Sequence, residues 1–155
     1  MTGGGWPSFY IEEMVGHAEN TQSLLTSMVF EGVFERFPTL KLILVEAGFA
    51  WLPALSWRLD KLWNRMRAEI PHVTRPPSEL IRQHVWLTTQ PMEEPEPREH
   101  LLDTIEWIGW ERLLFATDYP HWDFDAPSRA LPVKIGKEQK EAFFLQNALE
   151  LYNLK

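Results

Sequence analysis

Apolar residues follow two different periods along this chain, and each change of period marks a predicted element. Residues 11–37 carry apolar side chains three or four positions apart, which predicts an amphipathic helix that Pro38 ends. Gly16 and Gly32 lie within this segment, where we expect glycine to bend or interrupt the helix. Residues 40–45 form a nearly continuous aliphatic run, which predicts a strand buried on both faces. The apolar positions of the predicted helix are Val15, Leu24, Leu25, Met28, Val29 and Val33.

The succession of helix and strand then repeats through the rest of the chain. The further predicted elements are a helix at 51–68, a short helix at 78–83, a strand at 84–88, a helix from Pro97 that Gly109 ends, a strand at 112–116 and a helix at 138–152. Alternating helices and strands predict an α/β fold with a parallel sheet and flanking helices. The chain has the length of one ordinary domain and shows no repeat or low-complexity segment, so we expect a single domain over residues 1–155.

Composition and charge exclude several classes of function. The chain has 155 residues, 45% of them hydrophobic and 24% charged, which is typical of a globular protein with a real core. Its net charge of −7 argues against a nucleic-acid partner, which would require a basic surface. The absence of cysteine excludes disulfides, thiolate catalysis and Cys-ligated metals. No apolar run reaches the ~20 residues that span a bilayer, and no signal peptide is visible, so we expect a cytoplasmic protein without membrane contact.

The segment around Asp118 is the strongest indication of chemistry. The apolar run Leu113–Ala116 ends at Thr117 and Asp118, and a tyrosine, a proline, His121 and Trp122 follow. In parallel α/β folds, ligands and metals bind at the carboxyl ends of the strands. A buried strand would therefore deliver the Asp118 carboxylate to an open rim, although an aspartate there can also simply cap the following turn.

Four segments together resemble one family, the amidohydrolase-related metal-dependent hydrolases and decarboxylases. They are residues 31–38, 42–53, 88–95 and 113–123. The resemblance implies a partial (β/α)₈ TIM barrel, about its last three to four βα units, with Leu42, Val85 and Leu113 on strands six, seven and eight. A whole barrel needs roughly 200 residues or more. We therefore expect the chain to be the C-terminal portion of such an enzyme, beginning after strand five and lacking the N-terminal metal-binding part.

The resemblance also implies a divalent metal, zinc or a similar ion. In the family, a His-x-His pair on strand one, a histidine after strand five and an aspartate at strand eight hold the metal, and Asp118 matches that aspartate. Its implied role is to bind the ion and accept a proton from the water that the ion activates. The chain's five histidines include no i, i+2 or i, i+4 pair. Because a catalytic zinc site needs three protein ligands, we expect this chain alone to bind metal poorly and to be inactive.

Four further residues are candidates for the site. Glu46 ends strand six where many relatives have a histidine; it could ligate a metal, contact substrate, act as a base, or cap the next helix. His121 could contact substrate, orient Asp118, or bond a backbone carbonyl. Gln90 and Trp122 are expected to contact substrate.

Two neighbouring acidic residues are interpreted differently. Glu93 and Glu94 follow the predicted strand seven, and we expect them to be solvated or paired with Arg58, Arg65 or Arg67.

Two functions of different class follow from the resemblance. The first is metal-dependent hydrolysis, or non-oxidative decarboxylation, of a small organic and possibly aromatic substrate, with Asp118, Glu46 and His121 at the reacting centre. The alternative is a catalytically inactive partial barrel that acts through assembly with itself or with an N-terminal partner chain. The eight tryptophans and nine phenylalanines favour an apolar surface in need of cover.

Overall fold

The computed structural model describes residues 5–154. Its helices are α1 (Tyr10–Phe30), α2 (Val33–Arg36), α3 (Leu52–Met66), α4 (Pro77–His84), α5 (Glu99–Ile108), α6 (Lys137–Glu141) and α7 (Asn147–Tyr152). Its strands are β1 (Leu42–Leu44), β2 (Val85–Thr88) and β3 (Leu113–Leu114). Short 3₁₀ segments lie at Arg67–Glu69 and Trp110–Arg112, and a π-helical segment at Ala142–Gln146 joins α6 to α7. No helix within the described residues combines the length and apolar character that a membrane crossing requires.

The three strands of the described sheet stand in the order β1-β2-β3. Strands β2 and β3 run parallel, with Leu87 opposite Leu113 and Thr88 opposite Leu114. The parallel α/β arrangement predicted from the alternation of helix and strand is therefore present. Since the strands follow sequence order, each helical connection returns the chain to the next position in the sheet.

The chain divides into two compact units, each with its own core. The first comprises Met1–Leu42 and Ala54–Val85, and the second comprises Ile43–Pro53 and Trp86–Lys155. Fully buried apolar side chains of the first unit are Leu25, Val29, Phe34, Leu80 and Ile81. Those of the second unit are Phe49, Leu87, Leu101, Ile105, Leu113 and Phe143. The second unit contains most of the sheet and all the candidate site residues.

The long N-terminal helix is interrupted as predicted at Gly32. This residue has φ +72°, a left-handed conformation that glycine adopts without steric cost, and α2 begins directly after it. The pattern was wrong about which residues of α1 are covered. Val15 and Leu24 are more than half exposed, whereas Leu25 and Val29 are fully buried.

The first strand is shorter and less covered than its aliphatic run predicts. Only Leu42–Leu44 form β1, and of these only Leu44 is buried. Val45, expected inside, is 61% exposed. The continuous apolar run therefore overstated both the length and the two-sided burial of this strand. The third strand is likewise two residues long instead of the predicted five.

Candidate metal and catalytic site

Three of the candidate residues converge where the strands end. Glu46 lies two residues past β1, and Asp118 and His121 follow β3. One ligand atom from each of the three lies within 4.8 Å of the others. Residues 72 positions apart in the sequence therefore meet because their strands deliver them to the same edge of the sheet.

Asp118 and His121 form a hydrogen-bonded pair. The His121 Nδ1–H donates to Asp118 Oδ2 at 2.7 Å, and the His121 backbone N–H donates to the Asp118 carbonyl at 2.9 Å. The hydrogen bond that His121 donates to Asp118, followed by the negative charge of Asp118, raises the pKa of His121, and the charges of Glu46 and Asp123 act in the same direction. The Asp118 side chain is 18% exposed and that of His121 is 64% exposed. The pair thus connects a sheltered carboxylate to solvent through an imidazole.

Glu46 reaches the same pair from the other strand. Its Oε1 lies 3.8 Å from His121 Nδ1, and its side chain is 44% exposed. Its backbone N–H donates to the Thr88 hydroxyl at 3.1 Å, so the end of β2 fixes the start of this turn. Both Glu46, at φ +54°, and Asp118, at φ +57°, adopt left-handed conformations that are uncommon for residues with a Cβ.

The three side chains fit a divalent cation by their chemistry. Carboxylate oxygens suit Mn²⁺ and imidazole nitrogen suits Zn²⁺. Their ligand atoms lie within 4.8 Å of one another, close to the separation that metal–ligand distances of about 2.0–2.2 Å allow. His121 would bind through Nδ1 only after losing the hydrogen that it donates to Asp118. Metal and proton therefore compete at this atom.

The two expected substrate contacts differ in their surroundings. Gln90 is almost completely buried, and its Nε2 lies 3.5 Å from both the carbonyl and the Oδ2 of Asp123. Trp122 is 75% exposed, directly after His121 in the chain. Gln90 is thus buried against Asp123, whereas Trp122 exposes most of its side chain to solvent.

Glu93 makes contacts that the sequence pattern did not predict. Its Oε1 accepts the backbone N–H groups of Phe49 at 2.8 Å and Ala50 at 2.9 Å. Burial raises the pKa of Glu93, and the two hydrogen bonds only partly oppose this shift. The expectation that it is solvated or paired with arginine was therefore wrong. A glutamate in a loop carries no periodic signal, so only its proximity to a glycine turn could have indicated this contact.

Comparison with curated proteins finds decarboxylases. The gamma-resorcylate decarboxylase of Polaromonas sp. is 32% identical over 96 residues, which cover 61% of this chain and 28% of that protein. The gamma-resorcylate decarboxylase of Rhizobium sp. is 28% identical over 138 residues, covering 82% of this chain and 41% of that protein. The chain thus spans less than half the length of these relatives.

Comparison with solved structures finds the same family. An amidohydrolase from Mycobacterium avium subsp. paratuberculosis superposes with a TM-score of 0.74 over 96% of this chain and 37% of its own, at 24% identity, which shows the fold. A dihydroxybenzoic acid decarboxylase from Polaromonas sp., with bound manganese and the inhibitor 2-nitroresorcinol, superposes at 0.69 with 25% identity over 90% of this chain and 41% of its own.

The family model described as amidohydrolase matches residues 1–154. The predicted partial (β/α)₈ barrel is confirmed by the mixed α/β fold, its parallel strands and the superposition on amidohydrolase barrels. The expected family resemblance is likewise confirmed by the model and by the decarboxylase relatives. Sequence, fold and the arrangement of carboxylates at the strand ends agree, and the chain belongs to the amidohydrolase family.

Proposed function

We propose that this chain forms the part of a metal-dependent decarboxylase site that strands six to eight supply, for a small aromatic carboxylic acid. The observation that carries the proposal is the convergence of Glu46, Asp118 and His121 at the strand ends. Similarity to gamma-resorcylate decarboxylases supports decarboxylation over the hydrolysis that the family also performs.

Charge supports the involvement of a cation. Glu46 and Asp118 place two carboxylates beside the position that an anionic substrate would take. Like charges a few ångströms apart repel each other. When bound, a divalent ion such as Mn²⁺ supplies the positive charge that lets a carboxylate substrate approach. Asp118 and Glu46 would hold it while His121 keeps its proton, and donors from outside these residues would complete its coordination.

Decarboxylation also requires a proton, and the Asp118–His121 pair is placed to deliver it. The bond between the ring carbon and the carboxyl carbon breaks, CO₂ leaves, and a proton takes its place on the ring carbon. His121 can take that proton from solvent because its side chain is 64% exposed. The proton then passes from Nδ1 to Asp118 Oδ2 across 2.7 Å, and Asp118 would give it to the ring carbon as CO₂ leaves. Glu46, nearby, helps hold His121 in its protonated form.

Substrate contacts complete the proposal. Trp122 offers an exposed aromatic face next to His121, and stacking on an aromatic ring would favour a planar substrate. Gln90 anchors the backbone and side chain of Asp123, close to the same edge.

Binding of 2-nitroresorcinol, the inhibitor held by the Polaromonas relative, tests the site. We expect Mn²⁺ to tighten its binding to the purified chain about tenfold or more, the effect of a charge-assisted contact. Asp118→Asn should remove that Mn²⁺ dependence, whereas the exposed Glu138→Gln should not. Equal affinity with and without Mn²⁺ would contradict the proposal.

A second candidate function is assembly without catalysis. Several large apolar side chains at the start of α1 are more than half exposed, among them Phe9, Tyr10, Ile11 and Val15. Such a surface favours a second copy or a partner chain that supplies further barrel units. Light scattering after gel filtration distinguishes the two candidates. An oligomer that binds neither Mn²⁺ nor 2-nitroresorcinol would support assembly, and a monomer would contradict it.

A further inference from the structure

The turn after β1 requires support because of its backbone conformation. Glu46 has φ +54° and Gly48 has φ +60°, so two of three consecutive residues are left-handed. Glycine adopts this conformation freely, whereas a residue with a Cβ adopts it only at a cost in free energy. Glu46 would therefore relax toward an ordinary conformation, and move its carboxylate, unless contacts hold the turn.

Two side chains from the next strand and its loop hold this turn at both ends. The Thr88 hydroxyl accepts the Glu46 N–H at 3.1 Å. Glu93 Oε1 accepts the N–H groups of Phe49 and Ala50, at 2.8 and 2.9 Å. Two donors on one carboxylate oxygen form a stronger anchor than the single neutral contact to Thr88.

Gly48 and Glu93 also fit each other sterically. A Cβ on residue 48 would collide with Glu93 Oε1. The missing side chain at Gly48 thus creates the space that the carboxylate fills, directly beneath the turn that carries Glu46. The turn and the carboxylate therefore form one interlocked unit.

We propose that Glu93 is a positioning residue that fixes the Glu46 carboxylate beside Asp118 and His121. It acts through the backbone of Phe49 and Ala50 and contacts neither the ion nor the substrate. The proposal rests on the proposed function, because it assumes that Glu46 helps to bind a divalent cation. Glu93, a largely buried carboxylate, would thus serve the site without being one of the three candidate ligands.

Three variants separate this role from a general effect on folding. Glu93→Met keeps the length and removes the acceptor, so we expect its dissociation constant for Mn²⁺ to rise about fivefold. Glu93→Gln keeps a carbonyl oxygen for both N–H groups and should bind Mn²⁺ like wild type. Glu94→Met, at the exposed neighbouring position, is the matched control and should also bind normally.

A double-mutant cycle distinguishes the positioning of Glu46 from a general effect on folding. Only positioning makes the effect of Glu93→Met on Mn²⁺ affinity depend on Glu46. In a Glu46→Gln background, Glu93→Met should weaken Mn²⁺ binding no further, since its effect passes through Glu46. Affinities are measured by titration calorimetry on the full chain, with folding checked by circular dichroism. Glu93→Asp, whose shorter side chain reaches the turn poorly, should raise the dissociation constant and serves if Glu93→Met does not fold.

The outcomes are distinct. Unchanged Mn²⁺ affinity in both Glu93→Met and Glu93→Asp, while Glu46→Gln binds weakly, would overturn the positioning role alone. Equal losses from Glu93→Met in the wild-type and Glu46→Gln backgrounds would also overturn it. A wild-type chain that binds no Mn²⁺ would overturn the proposed function and this inference together.

Discussion

Two of the three candidate ligands, Glu46 and Asp118, combine a carboxylate with a left-handed backbone. Such conformations cost free energy and persist where surrounding contacts over-determine them, often at functional sites. Each is supported here. Thr88 and Glu93 hold the turn around Glu46, and the backbone bond from His121 closes the turn that begins at Asp118. Hydrogen bonds thus hold both left-handed turns, which is typical of functional sites where side chains must be fixed in position.

At the residue scale, the pKa of His121 is a direct test of its pairing with Asp118. The hydrogen bond and the charge of Asp118 raise this pKa, so Asp118→Asn should lower it toward its ordinary value. Because the folded pKa is raised, the pairing stabilises the protein below the ordinary pKa, and this contribution disappears as pH rises through the folded value. An NMR titration of the imidazole in chelator-treated protein measures the shift. An unchanged pKa in Asp118→Asn, with Glu138→Gln as control, would contradict the pairing.

Glu93 should make the unfolding free energy depend on pH with the opposite sign from a salt-bridged acid. Burial raises its pKa above 4.5, so the folded chain keeps a proton that the unfolded chain has lost. Unfolding free energy therefore falls as pH rises from 4.5 through the raised pKa. Glu93→Gln lacks this titration, so its stability relative to wild type should increase over that range. Urea denaturation at several pH values measures it, and a constant difference would contradict the burial.

The sequence indicated Asp118, Glu46 and His121 because each lies at or just after a predicted strand end. Glu93 could not be recognised in this way. Its partners, Phe49 and Ala50, are 44 and 43 residues away, and the contact depends on a turn geometry that no local pattern specifies. Hydrogen bonds between a side chain and a distant backbone are in general invisible to periodicity.

At the scale of elements, the order of helices and strands was predictable, but strand length was not. Apolar runs continue past the ends of the strands because loop residues also pack. Phe115 illustrates this, since it follows β3 and its ring lies 4.8 Å from that of Phe144 and 5.7 Å from that of Phe143. A periodic pattern reports burial, whereas a strand also requires hydrogen bonds to a neighbour.

The last helix fixes the third strand through Asn147, which gives a prediction for stability. Asn147 is buried, and its Nδ2 donates to the carbonyls of Trp110 at 2.7 Å and Leu113 at 2.8 Å. Asn147→Ala removes both hydrogen bonds and leaves the Trp110 carbonyl with only the Leu113 N–H, so we expect unfolding free energy to fall by about 1–3 kcal/mol. Urea denaturation measures this loss. The exposed Glu150→Ala on the same helix should change stability little, and equal effects of the two substitutions would contradict the assignment.

At the scale of the whole molecule, fold and family followed from the same features of the sequence. Alternating helices and strands predict a parallel sheet, and four segments in one order specify which barrel it resembles. The division into two compact units was not visible, because no change in composition accompanies it. The chain matches 28% and 41% of the length of the two gamma-resorcylate decarboxylases.

The binding of Mn²⁺ by the purified full chain tests the central claim most directly. The missing histidines predict weak binding, but the carboxylates of Glu46 and Asp118 converge at the strand ends, so titration calorimetry should detect a single weak but saturable site. Asp118→Ala should weaken it further by about tenfold or more, since it removes a charged ligand. Glu138→Ala, at an exposed position on α6, should leave the affinity unchanged. No saturable binding by the wild-type chain, or equal affinity in Asp118→Ala, would contradict a metal site at these strand ends.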